Sequence, residues 1–120
     1  MMSIRNQAVG RFGEKTAARH LEANGYTILE RNWRCPDGEI DIVAHAPGGP
    51  MALVEVKTRT SRSCGHPAEA ITPRKLARMR KVAAQWRHQH RHHAWVRLDV
   101  LTVDLSTGQP QIWHIEGVEQ

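Results

Sequence analysis

Two stretches decide the fold: Glu39-Ile40-Asp41-Ile42-Val43-Ala44-His45 and Met51-Ala52-Leu53-Val54-Glu55-Val56-Lys57-Thr58-Arg59. In the first, Glu39, Asp41 and Val43 alternate with Ile40, Ile42 and Ala44. In the second, Leu53, Glu55 and Lys57 alternate with Val54, Val56 and Thr58. A period of two is the signature of a strand, whose side chains point to opposite faces in turn. Ala46-Pro47-Gly48-Gly49-Pro50 between them is a loop by composition, so the pair reads as a hairpin. Folded symmetrically about Gly48, it sets Asp41 opposite Glu55 and Glu39 opposite Lys57. Any even shift of register keeps these four on one face.

Outward from the hairpin, the chain alternates between helix and strand signals. Arg11 to Asn24 reads as a helix with an Ala17, Ala18, Leu21 stripe and an Asn24-Gly25 stop. Tyr26 to Arg34 reads as a strand, closed by the Pro36-Asp37-Gly38 turn. Thr60 to Ala70 reads as a loop. Thr72-Pro73 then supplies an N-cap and a first-turn proline for a helix running to about His90, with Leu76, Met79, Ala83 and Trp86 on one face. Trp95 to Asp104 is a strand, Ser106-Thr107-Gly108 a turn, and Gln111 to Ile115 a last short strand. The order of helix, three strands, helix and two strands predicts an α/β fold, a mixed central β-sheet flanked by α-helices.

The chain has 120 residues, which suits a single domain spanning 1–120 with its core at about 10–116. No apolar run approaches the roughly 20 residues a membrane helix needs, and the first residues lack the apolar stretch of a signal peptide. The expected location is therefore cytoplasmic, with no membrane partner, and Cys35 and Cys64 as reduced thiols without a CxxC pattern. The formal charge of +5 is unevenly spread. Ala70 to Leu98 contains no Asp or Glu but carries Arg74, Lys75, Arg78, Arg80, Lys81, Arg87, Arg91 and Arg97. The acids gather in the first half. A basic segment beside an acidic one suits a polyanion brought to metal-binding carboxylates; a solvated helix face is the plainer reading of such a charge run.

Glu14 joins the hairpin acids by helical spacing. It stands three, four and seven residues before Ala17, Ala18 and Leu21, on the inward stripe, where an unpaired carboxylate is costly. A salt bridge or the positive helix end would also account for it. Asp41, Glu55 and Glu14 together suit Mg2+ (or Mn2+), a hard cation that takes oxygen ligands and keeps several waters. The Val56 carbonyl lies nearby in sequence. Lys57, two residues beyond Glu55, would stabilise charge on a phosphate or position the attacking water. A surface hairpin with Glu39–Lys57 and Asp41–Arg59 pairs would need no site at all.

An Asp on one strand, Glu-x-Lys on the next and a Glu on the preceding helix resemble the PD-(D/E)xK nuclease superfamily, with its restriction-endonuclease-like fold. More closely, Gly10-x-x-Gly13-Glu14, Gly25-Tyr26, Asn32-x-Arg34, Gly38-Glu39-Ile40-Asp41, Val54-Glu55-Val56-Lys57-Thr58-Arg59 and Arg97-x-Asp99-Val100 resemble the small bacterial YraN, or UPF0102, family. That resemblance runs from about Gly10 to Val103. It implies a fold like that of archaeal Holliday-junction resolvases and carries the active-site positions onto Glu14, Asp41, Glu55 and Lys57. Asp37 spells "PD" with Pro36, but the Asp41 of the strand is the matching position. The implied activity is endonucleolytic cleavage of DNA, branched DNA included. The implied assembly is a homodimer, because a four-way junction needs two cuts.

Arg59, Arg74, Lys75, Arg78 and Lys81 are the expected nucleic-acid contacts. Trp33 is the best-placed tryptophan for base stacking, whereas Trp86 has core spacing. His88, His90, His92 and His93 could suggest a transition-metal site, but they lie at an expected helix C-terminus, where cations are favoured anyway. A nucleic-acid-binding module without catalysis is the alternative, and a subunit docking on an acidic protein surface a weaker one.

Overall fold

In a computed structural model, described over residues 4–61 and 65–119, the alternating stretches form strands β2 (Gly38–His45) and β3 (Met51–Arg59). They pair antiparallel with Ile42 opposite Val54 and Val43 opposite Leu53, the register symmetric about Gly48. Strand β1 (Thr27–Cys35) lies antiparallel on β2. Strand β4 (Val96–Asp104) runs parallel to β3 after a crossover through helix α2 (Pro73–Gln89), and β5 (Gln111–Ile115) returns antiparallel on β4. The sheet order is β1-β2-β3-β4-β5. With helix α1 (Ile4–Ala23), this is an α/β architecture with a mixed five-stranded sheet, compatible with a restriction-endonuclease-like fold.

The helix ends follow local chemistry. Thr72 caps α2, its hydroxyl accepting from the Lys75 N–H at 3.2 Å, with Pro73 at the first helical position. Helix α1 stops where Gly25 takes φ +87°, which lets the Tyr26 N–H reach back to the Leu21 carbonyl at 3.0 Å. At its other end α1 begins at Ile4, seven residues before the expected start at Arg11. The first turns are exposed and carry no apolar stripe, so periodicity does not reveal them. Within the expected Thr60–Ala70 loop, Pro67–Ala70 forms a single 3-10 turn capped by His66.

The core lies on both faces of the sheet. On one face Ala17, Ala18 and Leu21 of α1 pack on Ile42, Ala44, Ala52, Val54, Leu101 and Val103. On the other, Val82, Ala83 and Trp86 of α2 pack on Val43, Leu53, Leu98 and Trp33. Ile40 belongs to this second cluster, with Val43, and not with Ile42. The strict alternation expected over Glu39–Ala44 is therefore broken between Ile40 and Ile42. The break faces Asn32 of β1, which lies between the pairs Arg31–Ile42 and Trp33–Ile40 and takes a left-handed φ of +56°. Trp33, expected as a stacking residue, is 8% exposed and packed in the α2-side core. Trp86 is buried as its spacing predicts.

A buried polar knot fastens the β4–β5 end. Asp99 is fully buried; its oxygens accept from Arg97 Nε at 2.9 Å, His114 Nε2 at 2.8 Å and the Gly117 N–H at 3.0 Å. Arg97 also donates to the Tyr26 hydroxyl at 2.6 Å and pairs with Glu116 at 2.9 Å. Burial pushes the Asp99 carboxyl up, but the bonds from His114, Arg97 and Gly117 outweigh it and hold it below its ordinary value.

Gly13 sets the seat of α1. A Cβ there would lie 1.8 Å from Thr58 Oγ1 and 2.9 Å from Thr58 Cβ, so the helix rests directly on β3. At Gly10, in the same helix, a Cβ would meet nothing within 4 Å. Gly13→Ala should lower the unfolding free energy by roughly 1–3 kcal/mol through overpacking, with part of the loss recovered in Gly13→Ala/Thr58→Ala. Gly10→Ala should raise it by up to about 1 kcal/mol through helix propensity. Urea unfolding of the variants measures both; equal effects would show that the close approach is not what places α1.

Candidate active site

The β2–β3 ladder ends at Ile42–Val54, and the site lies where it ends. One step further, the Val56 N–H donates to the Asp41 carboxylate, Oδ2, at 2.7 Å instead of to a carbonyl of β2. Asp41 thus closes the fork with its side chain. It is only 8% exposed. Burial, opposed by the Val56 hydrogen bond and reinforced by Glu14, Glu39 and Glu55, pushes its carboxyl up to about 7.

Glu14 reaches the same cleft from α1, one residue beyond the close approach at Gly13. Burial raises its carboxyl too, and Glu39 adds to this, while Arg31, Asn32 and Arg34 pull it back. Glu55 enters from β3, its Oε2 held 2.6 Å from Lys75 Nζ of α2. Lys57 is exposed at the cleft and makes no ion pair among the described residues. Arg78, one turn beyond Lys75, completes the basic side. Helix α1, the hairpin and the start of α2 therefore each contribute to one cleft holding Glu14, Glu39, Asp41, Glu55, Lys57, Lys75 and Arg78.

The cross-strand partners differ from a simple surface hairpin. Glu39 pairs with Arg34 of β1 at 3.4 Å, not with Lys57. Arg59 faces Asp104 at 3.4 Å, not Asp41, and donates to the Gly65 carbonyl. Its side chain is 10% exposed, so the guanidinium is committed inside the protein. Arg74 and Lys81 are exposed on α2 outside the cleft lining. Among the histidines, His90 pairs with Glu30 at 3.2 Å and stacks on Trp86 at 4.4 Å. Cys35 is a free thiol, and Cys64 lies outside the described residues.

No group of three or more His, Cys, Asp or Glu side chains among the described residues is gathered tightly enough to hold a metal ion. The donor set nevertheless fits a magnesium-like cation, which commonly takes one or two carboxylates and completes its shell with water and phosphate. Asp41 and Glu55 would be the two, and the Lys75 ammonium already stands as a positive charge against Glu55. Asn32, Thr58 and the Lys75–Glu55 contact escaped sequence reasoning as parts of the site. The signals for Asn32 are its place in the Asn32-x-Arg34 motif and asparagine's tolerance of a left-handed backbone.

The profile of an uncharacterised protein family, UPF0102, matches residues 13–103. The chain belongs to the UPF0102 family. A UPF0102 protein of Beutenbergia cavernae is 50% identical over 113 residues, covering 92% of this chain and 95% of its own. One from Parafrankia sp. is 52% identical over 114 residues, covering 93% and 96%, and one from Frankia casuarinae 50% identical over 112 residues, covering 92% and 94%. The UPF0102 match begins at Gly13, so it takes in Glu14 and every other acid of the cleft. No helix among the described residues is long and apolar enough to cross a membrane.

The raised Asp41 carboxyl has a stability consequence. A carboxyl with a folded pKa above its unfolded value favours the fold fully below the unfolded value, and that advantage is lost as pH rises through the folded one. For Asp41 the window runs from about pH 4 to about pH 7. Without divalent cations, the stability of Asp41→Asn relative to wild type should therefore rise by on the order of 2–4 kcal/mol between pH 4 and pH 8. Parallel urea-unfolding profiles for the two proteins across that window would contradict the burial of an ionisable Asp41.

Proposed function

We propose that this protein is a metal-dependent endonuclease that hydrolyses phosphodiester bonds in DNA, with branched DNA a natural substrate. One observation carries the reading: a nearly buried carboxyl at the fork of the hairpin, Asp41, opens into a cleft rimmed by Lys57, Lys75 and Arg78. Acids alone would repel a polyanion, and bases alone would merely bind one. Their shared cleft suits a phosphate drawn in by cations and a metal held by carboxylates.

Asp41 and Glu55 would hold Mg2+ or Mn2+, and Glu14 would reach it through water. When bound, the metal supplies Lewis acidity and lowers the pKa of a coordinated water. Lys57, exposed and without an ion pair among the described residues, is placed to steady the charge that develops on the phosphate or to orient the attacking water. Arg78 and Lys75 would hold the backbone from α2, with Arg74 and Lys81 extending the basic surface along the same helix. Because Arg59 is bound to Asp104, its expected phosphate contact would require that pair to open. Under this reading Glu14, Asp41, Glu55 and Lys57 would take the roles that the resemblance to the PD-(D/E)xK superfamily implies. A four-way junction would call on two copies of the chain, and a DNA substrate accords with a cytoplasmic location.

A second reading is favoured by the Lys75–Glu55 pair, which already neutralises one acid without a metal. Under it, the protein binds nucleic acid and does no chemistry.

A panel of radiolabelled linear, flapped, single-stranded and four-way substrates, incubated with and without Mg2+ or Mn2+, separates the two. The nuclease reading expects metal-dependent cutting that falls at least about a hundredfold in Lys57→Ala and in Asp41→Asn. Cutting that is equal in wild type and Lys57→Ala would point to a contaminating nuclease. Salt-sensitive binding that survives Asp41→Ala and Glu55→Ala, with no cutting, would establish the binding module. On either reading, Arg78→Ala should weaken binding to all sequences alike and reduce the salt slope by about 1.

A further inference from the structure

Lys75 occupies a position that helix electrostatics does not favour. It stands in the first turn of α2 beside Arg74, with no acid in that turn. The positive end of a helix disfavours cations. What holds the ammonium there is Glu55, at 2.6 Å, in a contact whose two side chains are only 17% and 25% exposed. Glu55 is also one of the two carboxylates best suited to a divalent cation. One carboxylate oxygen is therefore claimed by two cations.

Resting on the nuclease reading, the geometry points to an exchange. Lys75 is the resident counter-ion of Glu55 in the metal-free protein, and it leaves Glu55 when a divalent cation takes that oxygen. The freed ammonium stays in the cleft, tethered by the capped first turn, one helical turn from Arg78. There it is positioned for a non-bridging phosphate oxygen. A phosphate that draws Lys75 away also vacates Glu55. Metal and nucleic acid then strengthen each other's binding, as reciprocal linkage requires. The exchange forms and breaks no covalent bond.

Calorimetric titration of the purified protein with Mn2+ tests the exchange without any cutting. Lys75→Met keeps the side-chain stem and the capped N–H but removes the competitor, and it should bind Mn2+ at least about fivefold more tightly than wild type. Lys81→Met removes the same charge from the same helix away from the carboxylates, and should change the affinity by less than about twofold. A second readout follows Lys75 directly. With an amine-reactive acylating reagent read by mass spectrometry, Mg2+ should raise the labelling rate of Lys75 relative to Lys81 several-fold. Equal Mn2+ affinity in wild type and Lys75→Met, or equal tightening in Lys81→Met, overturns the exchange and leaves the nuclease reading standing. Labelling of Lys75 that Mg2+ does not raise overturns it as well. No Mn2+ binding by either protein overturns the exchange together with the reading it rests on.

Discussion

The bond from the Val56 N–H to the Asp41 carboxylate is the contact on which the architecture of the site turns. Strands β2 and β3 are held by an ordinary ladder up to Ile42–Val54. Beyond that point β3 continues along β4 as far as Arg59, while β2 continues along β1 as far as Gly38. A sheet that forks exposes backbone donors at the fork, and a buried N–H left unpaired is costly. Asp41 satisfies that donor with a carboxylate rather than a carbonyl. The fork is thereby closed by an ionisable side chain, and a break in the ladder becomes the floor of the cleft.

Asp41 also makes the site expensive. Its carboxyl lies against Glu14, Glu39 and Glu55 and resists ionisation. The bases that offset this repulsion come from α2, whose first turn is basic at the end where acids are preferred. Two local preferences are thus set aside at one place: like charges gather on the acid side, and cations sit at a helix N-terminus. Each is tolerable because the other is there, as the 2.6 Å approach of Lys75 to Glu55 shows. Such paired violations of local rules are characteristic of functional sites. The buried Asp99, by contrast, has its carboxylate bonded to Arg97, His114 and the Gly117 N–H.

Much of the frame was legible because it follows from near neighbours in the chain. Alternation over Met51–Arg59 and the loop around Gly48 led to the right strand and the right hairpin register. Thr72-Pro73 marked the start of α2. The motif residues Glu14, Asp41, Glu55 and Lys57 do meet in one cleft. The misreadings share a cause. Trp33 reads as an exposed strand-end aromatic until Val82 and Trp86 of α2 are placed beside it. Arg59 reads as a free base until β4 brings Asp104 opposite it. Ile40 reads as a partner of Ile42 until the two are found in the separate cores under α2 and α1.

The sequence by itself determined the elements, the hairpin register and the identity of the acids, because period, turn chemistry and capping act over a few residues. Only the tertiary structure decided which cation answers which acid. That choice joins Lys75 to Glu55, Arg34 to Glu39 and Arg59 to Asp104. Each pairing depends on which strands and helices pack together. The charges of a chain do not name their partners until packing brings them within a few ångströms, where Coulomb attraction and desolvation are strong enough to choose.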